Sequence, residues 1–202
     1  YIVNVADKHV VRVAREAREE LEALVARGYE AELADNKAFF EDFYSRSDIQ
    51  IEGDDEDQQG IRYCLFQLVS AYHGYEEDNN IGAKGLTGEA YSGHAFWDSE
   101  TYCLPYYLFS NQKAAKDLLL FRYHTLEEAK ERAKELDCEG ACFPIATRNG
   151  KEACNLWQHA STQFQPTTAV AYAIAHYMNL YHDEEFMVRY GLEMLIEIAK
   201  FL

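Results

Sequence analysis

The sequence predicts an all-α chain of helical hairpins with long loops gathered at one end, the layout of an α/α toroid. Three observations predict it. Apolar residues recur at three- and four-residue spacing along most of the chain, and strand-like alternation is nearly absent. Two loops, residues 74–96 and 138–166, far exceed the connections of a plain helical bundle. They fall on alternate connections, so both open at the same end of the hairpins.

The first helix is predicted over residues 6–27. Val10, Val13 or Ala14, Ala17, Leu21, Leu24 and Val25 fall on one face, and Gly28 stops it. A second helical run follows, with Leu33, Phe40, Phe43 and Tyr44 on its buried side. The stretch "DIQIEG", 48–53, is too short for more than a turn or a short strand. Asp54 or Asp55 is the expected N-cap of a third helix through Ile61, Leu65, Leu68, Val69 and Tyr72. After the first long loop, a helix from 97 to 109 contains Pro105, which predicts a kink or an early break there. Residues 112–123 form another helix. Thr125 and Glu128 have capping-box spacing and start the next one, through Leu136. Beyond the second long loop, helices over 167–181 and 184–202 close the chain, with Asp183 as the cap between them. Their outward apolar side, including Leu195, Ile198 and Phe201, is expected to lack a partner.

Composition limits the function. Of 202 residues, 48% are hydrophobic and 27% charged, an ordinary globular balance with enough apolar side chains for a core. A formal net charge of -16 argues against nucleic acid, because neutralising phosphates needs clustered Lys and Arg. No apolar run approaches a membrane span and no signal peptide is visible. The chain opens on Tyr1 rather than methionine, which predicts N-terminal processing or truncation. The acidic run Asp54-Asp55-Glu56-Asp57 lacks the alternating ligand spacing and loop glycine of a calcium loop and reads as a helix start. Five cysteines, without a C-x-x-C pair, predict reduced cytoplasmic thiols and no metal, with Cys64 and Cys103 as buried small hydrophobes.

Chemistry concentrates in "GLTGEAYSGHAFWDSETYCLPYYLF", residues 85–109. Glycines at 82, 85, 88 and 93 allow backbone turns, and Glu89, His94, Trp97, Asp98 and Glu100 crowd into twelve positions. Trp97 offers a flat apolar face suited to the C–H surface of a pyranose. Asp98 can accept hydrogen bonds from two neighbouring hydroxyls. The competing reading makes Trp97 core and Asp98 a helix cap. Asp98 and Glu100 are two positions apart and point to different sides of a helix, and nothing in that spacing provides the roughly 6.5–9.5 Å, with a water between, that an inverting pair needs. In the second loop, Trp157, Gln158, His159, Gln163 and Gln165 also suit hydroxyl recognition. A serine nucleophile at Ser161 would lack the elbow glycines.

The same stretch resembles the first barrel segment of glycoside hydrolase family 65, whose usual form reads "GLTGEGY.GH.FWDTE...LP.Y". This sequence departs mainly at Ala90 and Ser99. Similarity continues through "LLLFRYHTLEEAKERAKELDCEGACFP" and ends in "YGLEMLIEIAKFL", so it covers essentially all 202 residues. The family includes maltose, trehalose, kojibiose, nigerose and glucosylglycerol phosphorylases.

The resemblance implies an (α/α)6 barrel, incomplete here, with about residues 1–50 as linker helices and the whole chain as linker plus the first half of the catalytic barrel. It implies inversion at an α-glucoside, with inorganic phosphate as co-substrate and β-glucose 1-phosphate as product. By motif position, Trp97 and Asp98 would bind the glucosyl unit, and His94 and the loop 85–91 would shape the pocket. The family's general acid, a Glu in a "GPDEYH"-like segment, its Lys-Gln pair and its Ser/His phosphate site have no counterpart in these residues and are expected downstream of Leu202. The second loop, "EACNLWQHASTQFQP", differs from the "ECHNEWEITFEEIH" type of maltose phosphorylases and leans towards glucosylglycerol or another non-maltose acceptor. Two other readings stay open. One is part of an acid-trehalase-like hydrolase, and the other a non-catalytic carbohydrate-binding or interaction module. An open barrel edge also predicts self-association, or docking of the missing half.

Overall fold

The computed structural model describes residues 10–75, 77–88 and 90–202. Residues 6–9 of the first predicted helix and Glu89 lie outside the described residues. The chain divides into two compact units, one ending at Phe66 and the other running from Gln67 to Leu202.

In the first unit, α1 (Val10–Arg27) and α2 (Tyr29–Ser47) form a hairpin. Gly28 turns the chain at φ 83°, a left-handed conformation that a Cβ disfavours. Arg27 closes the hairpin by pairing with Glu32 and Asp35. The apolar face predicted for α1 is covered only in part: Val13 and Ala17 are half-buried, while Leu21, Leu24 and Val25 are exposed. On α2 the prediction is closer, because Phe43 is buried and Phe40 and Tyr44 are half-buried. Helix α3 (Asp55–Ala71) begins at Asp54, whose Oδ1 accepts the Glu56 and Asp57 N–H groups at 3.0 Å each. That places the acidic run at a helix N-terminus, where its charge complements the helix dipole. Cys64, predicted to be buried, faces out on α3 and is exposed. Its apolar sequence neighbours Leu65 and Val69 take the buried side instead.

Among its described residues the second unit is mostly helical, with two short strands and two long loops. It contains β1 (Ala95–Phe96), α4 (Leu104–Ser110), α5 (Gln112–His124), α6 (Leu126–Glu135), β2 (Ala146–Thr147), α7 (Trp157–Thr162), α8 (Gln165–Tyr181), α9 (Glu184–Phe186) and α10 (Leu192–Phe201). The predicted kink near Pro105 takes a particular form. Ser99–Cys103 make a π turn, closed by the Leu104 N–H to Ser99 O, and α4 starts with Pro105 in its first turn. Proline lacks an N–H, and the first helical turn is where none is required.

The capping box at Thr125 does not form. Its hydroxyl donates to Phe121 O at 2.9 Å, because Thr125 also ends α5 and the carbonyl behind it competes for the hydroxyl. The second long loop is not wholly irregular either, since β2 and α7 lie within it.

The core of this unit joins Leu104 and Tyr107 of α4, Leu118 and Leu119 of α5, Val170 and Ile174 of α8, and Phe186, Met194 and Ile198 from the last helices. Buried tyrosines tie the helices by their hydroxyls. Tyr107 OH lies 2.8 Å from Leu68 O and 2.7 Å from Tyr72 O at the end of α3. Ile198, expected on an open face, is core, and Phe201 is half-buried with its ring 5.6 Å from that of Phe164. Exposed apolar residues lie elsewhere, on Val188 in the turn before α10 and on Leu192 and Ile196 of α10. Gly140 fits against α10 so closely that a Cβ would sit 2.1 Å from Glu197 O. This contact lets the Ala141 N–H reach the same carbonyl at 2.9 Å.

Candidate functional site

The two long loops meet through backbone pairing. Ala95 pairs with Thr147 and Phe96 with Ala146 in an antiparallel ladder, and Gly82 bridges to Ala95. Strand β1 thus fixes the chain immediately before Trp97 and Asp98, and β2 brings the second loop to the same end. Glu152 organises β2, with its carboxylate accepting the Ile145 N–H at 2.9 Å and the Cys154 N–H at 2.8 Å.

Ahead of β1 the backbone makes a left-handed turn. Tyr91 (φ 61°) and Ser92 (φ 55°) both occupy the left-handed region, followed by Gly93 at φ 68°. Two consecutive left-handed residues that carry a Cβ store strain. The His94 Nδ1–H donates to Tyr91 O at 2.8 Å and steadies this turn, which leaves Nε2 as the imidazole's acceptor. Gly88 answers a close approach, since a Cβ there would come within 2.4 Å of Lys84 O.

Asp98 is exposed and lines a cleft of about 310 Å³, with Gln67 and Leu68 of α3, Lys84 and Gly85 of the glycine-rich loop, and Phe96, Ser99 and Cys103. This is the small end of the range for ligand pockets, roughly 300–1,000 Å³. Among the described residues, the Asp98 carboxylate has no hydrogen-bond or ion-pair partner, so its acceptor capacity is open. It does not cap the following turn. Trp97 is half-buried, its ring 6.1 Å from that of Tyr102.

Glu100 meets the opposite environment. It is 2% exposed and holds Arg122, 0% exposed, by two bonds: Nε to Oε1 at 2.7 Å and Nη2 to Oε2 at 2.9 Å. The two carboxylates therefore point apart, as their spacing predicts. Burial pushes the Cys103 thiol up to about 11, with the Asp98 and Glu100 carboxylates adding to the rise.

His94, Trp97 and Asp98 are brought together by continuity of chain. Trp157 and His159 lie on α7, both exposed, with Trp157 at 68%. Helix α7 is tied to α6 by the Arg132 Nη2–H to Ala160 O at 3.3 Å. Of the predicted site residues only Asp98 lines this cleft; His94, Trp97, Trp157 and His159 do not. Gln67, Lys84 and Arg122 escaped the sequence reading. Lys84 stands among the glycines that drew attention, but nothing local marks Arg122, whose partner lies 22 positions away. A larger depression of about 680 Å³ in the first unit, around Tyr44, Tyr63 and Phe66, contains none of the candidate residues.

Residues 62–202 match the glycosyl hydrolase family 65 central catalytic domain. The chain is 41% identical to maltose phosphorylase of Bacillus subtilis over 92% of its length and 25% of that protein's. To kojibiose phosphorylase of Thermoanaerobacter brockii it is 34% identical, covering 90% of this chain and 25% of that one. A solved structure described as "Putative kojibiose phosphorylase from human microbiome" shares 65% identity with a TM-score of 0.87, over 96% of this chain and 26% of that one. The chain spans about a quarter of the length of these relatives. Its helical hairpins are those of the family's all-α barrel, and the chain belongs to glycosyl hydrolase family 65.

Proposed function

We propose that this chain supplies the donor-sugar part of an inverting phosphorylase for α-glucosides. The observation that carries the reading is the open carboxylate of Asp98, which lines a small cleft and follows Trp97 in the chain, in a family whose relatives here are phosphorylases of maltose, trehalose and kojibiose by name. Asp98 would accept hydrogen bonds from two glucosyl hydroxyls, while the Trp97 ring covers an apolar face of the sugar. His94 would shape the same pocket, and Trp157 and His159 would face the second sugar from the other loop.

Residues 1–202 then form part of the catalytic barrel, with about 1–50 as linker helices. In the reaction, an oxygen of inorganic phosphate attacks the anomeric carbon as the glycosidic C–O bond breaks. The leaving oxygen takes a proton from a general acid outside these residues. Because phosphate is already an anionic nucleophile, no carboxylate is needed to activate water, and a single acid suffices. A cytoplasmic setting fits five unpaired thiols.

The test is product analysis by NMR with a glucose disaccharide in the naturally expressed polypeptide. Phosphate-dependent release of β-glucose 1-phosphate supports the reading, and phosphate-independent release of glucose alone would replace it with hydrolysis. The isolated 202 residues, tested the same way, should yield no glucose 1-phosphate, because leaving-group protonation, typically worth about 10²–10⁴-fold, is missing.

A further inference from the structure

We infer, on the basis of the donor-site reading, that the buried Glu100–Arg122 pair is a positioning device: from α5, Arg122 sets the turn that presents Trp97 and Asp98 to the sugar. The geometry is direct. The Glu100 and Thr101 N–H groups both donate to Trp97 O, at 3.2 and 3.1 Å. Fixing Glu100 therefore fixes the peptide that carries Trp97 and Asp98. The guanidinium grips Glu100 through two parallel bonds, which set the orientation of the carboxylate as well as its distance. With no side-chain partner among the described residues, Asp98 depends on this backbone for its place in the cleft.

Stability alone accounts poorly for the pair. Two charges taken from water need not gain what they lose, and an apolar pair of similar volume often serves packing as well or better. Arg122 Nη1 is buried and has no partner among the described residues, which adds a further penalty. What an apolar pair lacks is direction. Glu100 also sits in a π turn, a form frequent at functional sites.

The experiment measures thermal unfolding and calorimetric binding of D-glucose and β-glucose 1-phosphate in the naturally expressed polypeptide. Three variants are compared: Arg122→Lys, the volume-conserving double change Glu100→Met with Arg122→Met, and Asp98→Asn. The double variant should unfold within a few degrees of wild type yet bind about tenfold or more weakly, because a displacement of about an ångström at the sugar is enough for that. Arg122→Lys, which keeps the charge and loses the fork, should stay folded and lose affinity as well. A folded double variant with wild-type affinity overturns the inference. If the double variant does not fold, Arg122→Lys decides alone, and wild-type affinity there is equally fatal. Absent sugar binding in wild type, or an unaffected Asp98→Asn, would bring down the donor-site reading and this inference with it. Weak binding by Asp98→Asn beside full binding by the pair variants would remove the inference only.

Discussion

Asp98 and Glu100 stand two positions apart, one carboxylate open to a cleft and the other sealed against a guanidinium. The sequence predicts their divergence from helical spacing, and the π turn preserves it. It could not reveal which one is buried, because that depends on Arg122 arriving from α5. Cys64 makes the same point in reverse: its apolar neighbours suggested burial, but helical phase puts it on the outer face. The left-handed pair Tyr91–Ser92 was equally hidden, since local composition signalled turns only at the glycines. It yields a prediction. Relieving the left-handed strain at Ser92 gains about 1–2 kcal/mol, against about 0.4–1 kcal/mol for the added freedom of an unfolded glycine. Ser92→Gly should therefore stabilise the protein by about 0.5–1 kcal/mol in urea unfolding. A destabilised variant would contradict the left-handed turn.

At the scale of elements, Asp183 joins α8 to α9 as the sequence anticipates, and its surroundings explain why it must be charged. Burial works to raise its pKa. Lys116 Nζ at 2.9 Å, the Phe186 N–H at 2.9 Å and the Tyr177 OH at 2.8 Å outweigh that and hold it below the ordinary 3.8. A lowered folded-state value means the unfolded chain binds this proton more tightly. The contribution is thus complete above the ordinary aspartate range and is lost as pH falls through the folded-state value. Asp183→Asn should lower stability at pH 7 and flatten its decline below about pH 4, as read from urea midpoints across pH. An unchanged acid limb would remove Asp183 from the account. Helix existence along the chain was legible from apolar spacing, but Thr125 shows where local rules stop. A residue that ends one helix and begins another has two uses for its hydroxyl, and only the structure shows that Phe121 O receives it.

On the scale of the molecule, the helical class and the meeting of two long loops at one end follow from the sequence. The β1–β2 ladder that joins those loops does not, because two-residue strands leave no periodic trace. The open face expected on Leu195, Ile198 and Phe201 is not found there, since Ile198 is core, Leu195 packs against it and Phe201 is half-buried. Val188, Leu192 and Ile196 are instead 76%, 51% and 46% exposed at four-residue spacing. Contiguous exposed apolar surface tends to become an interface, at about 25 cal/mol per Å² buried. The isolated 202 residues should accordingly sediment as a dimer or larger species at micromolar concentration, and Leu192→Lys should shift them to monomer. A wild-type monomer at high concentration would contradict this.

The central claim, that Asp98 holds the donor glucose, is tested most directly by phosphorolysis rates in the naturally expressed polypeptide. Asp98→Asn is compared there with Glu19→Gln, an exposed change on α1 remote in sequence from the cleft. The account predicts that Asp98→Asn lowers kcat/KM by about 10²-fold or more, while Glu19→Gln leaves it near wild type. Equal effects from the two substitutions would contradict it.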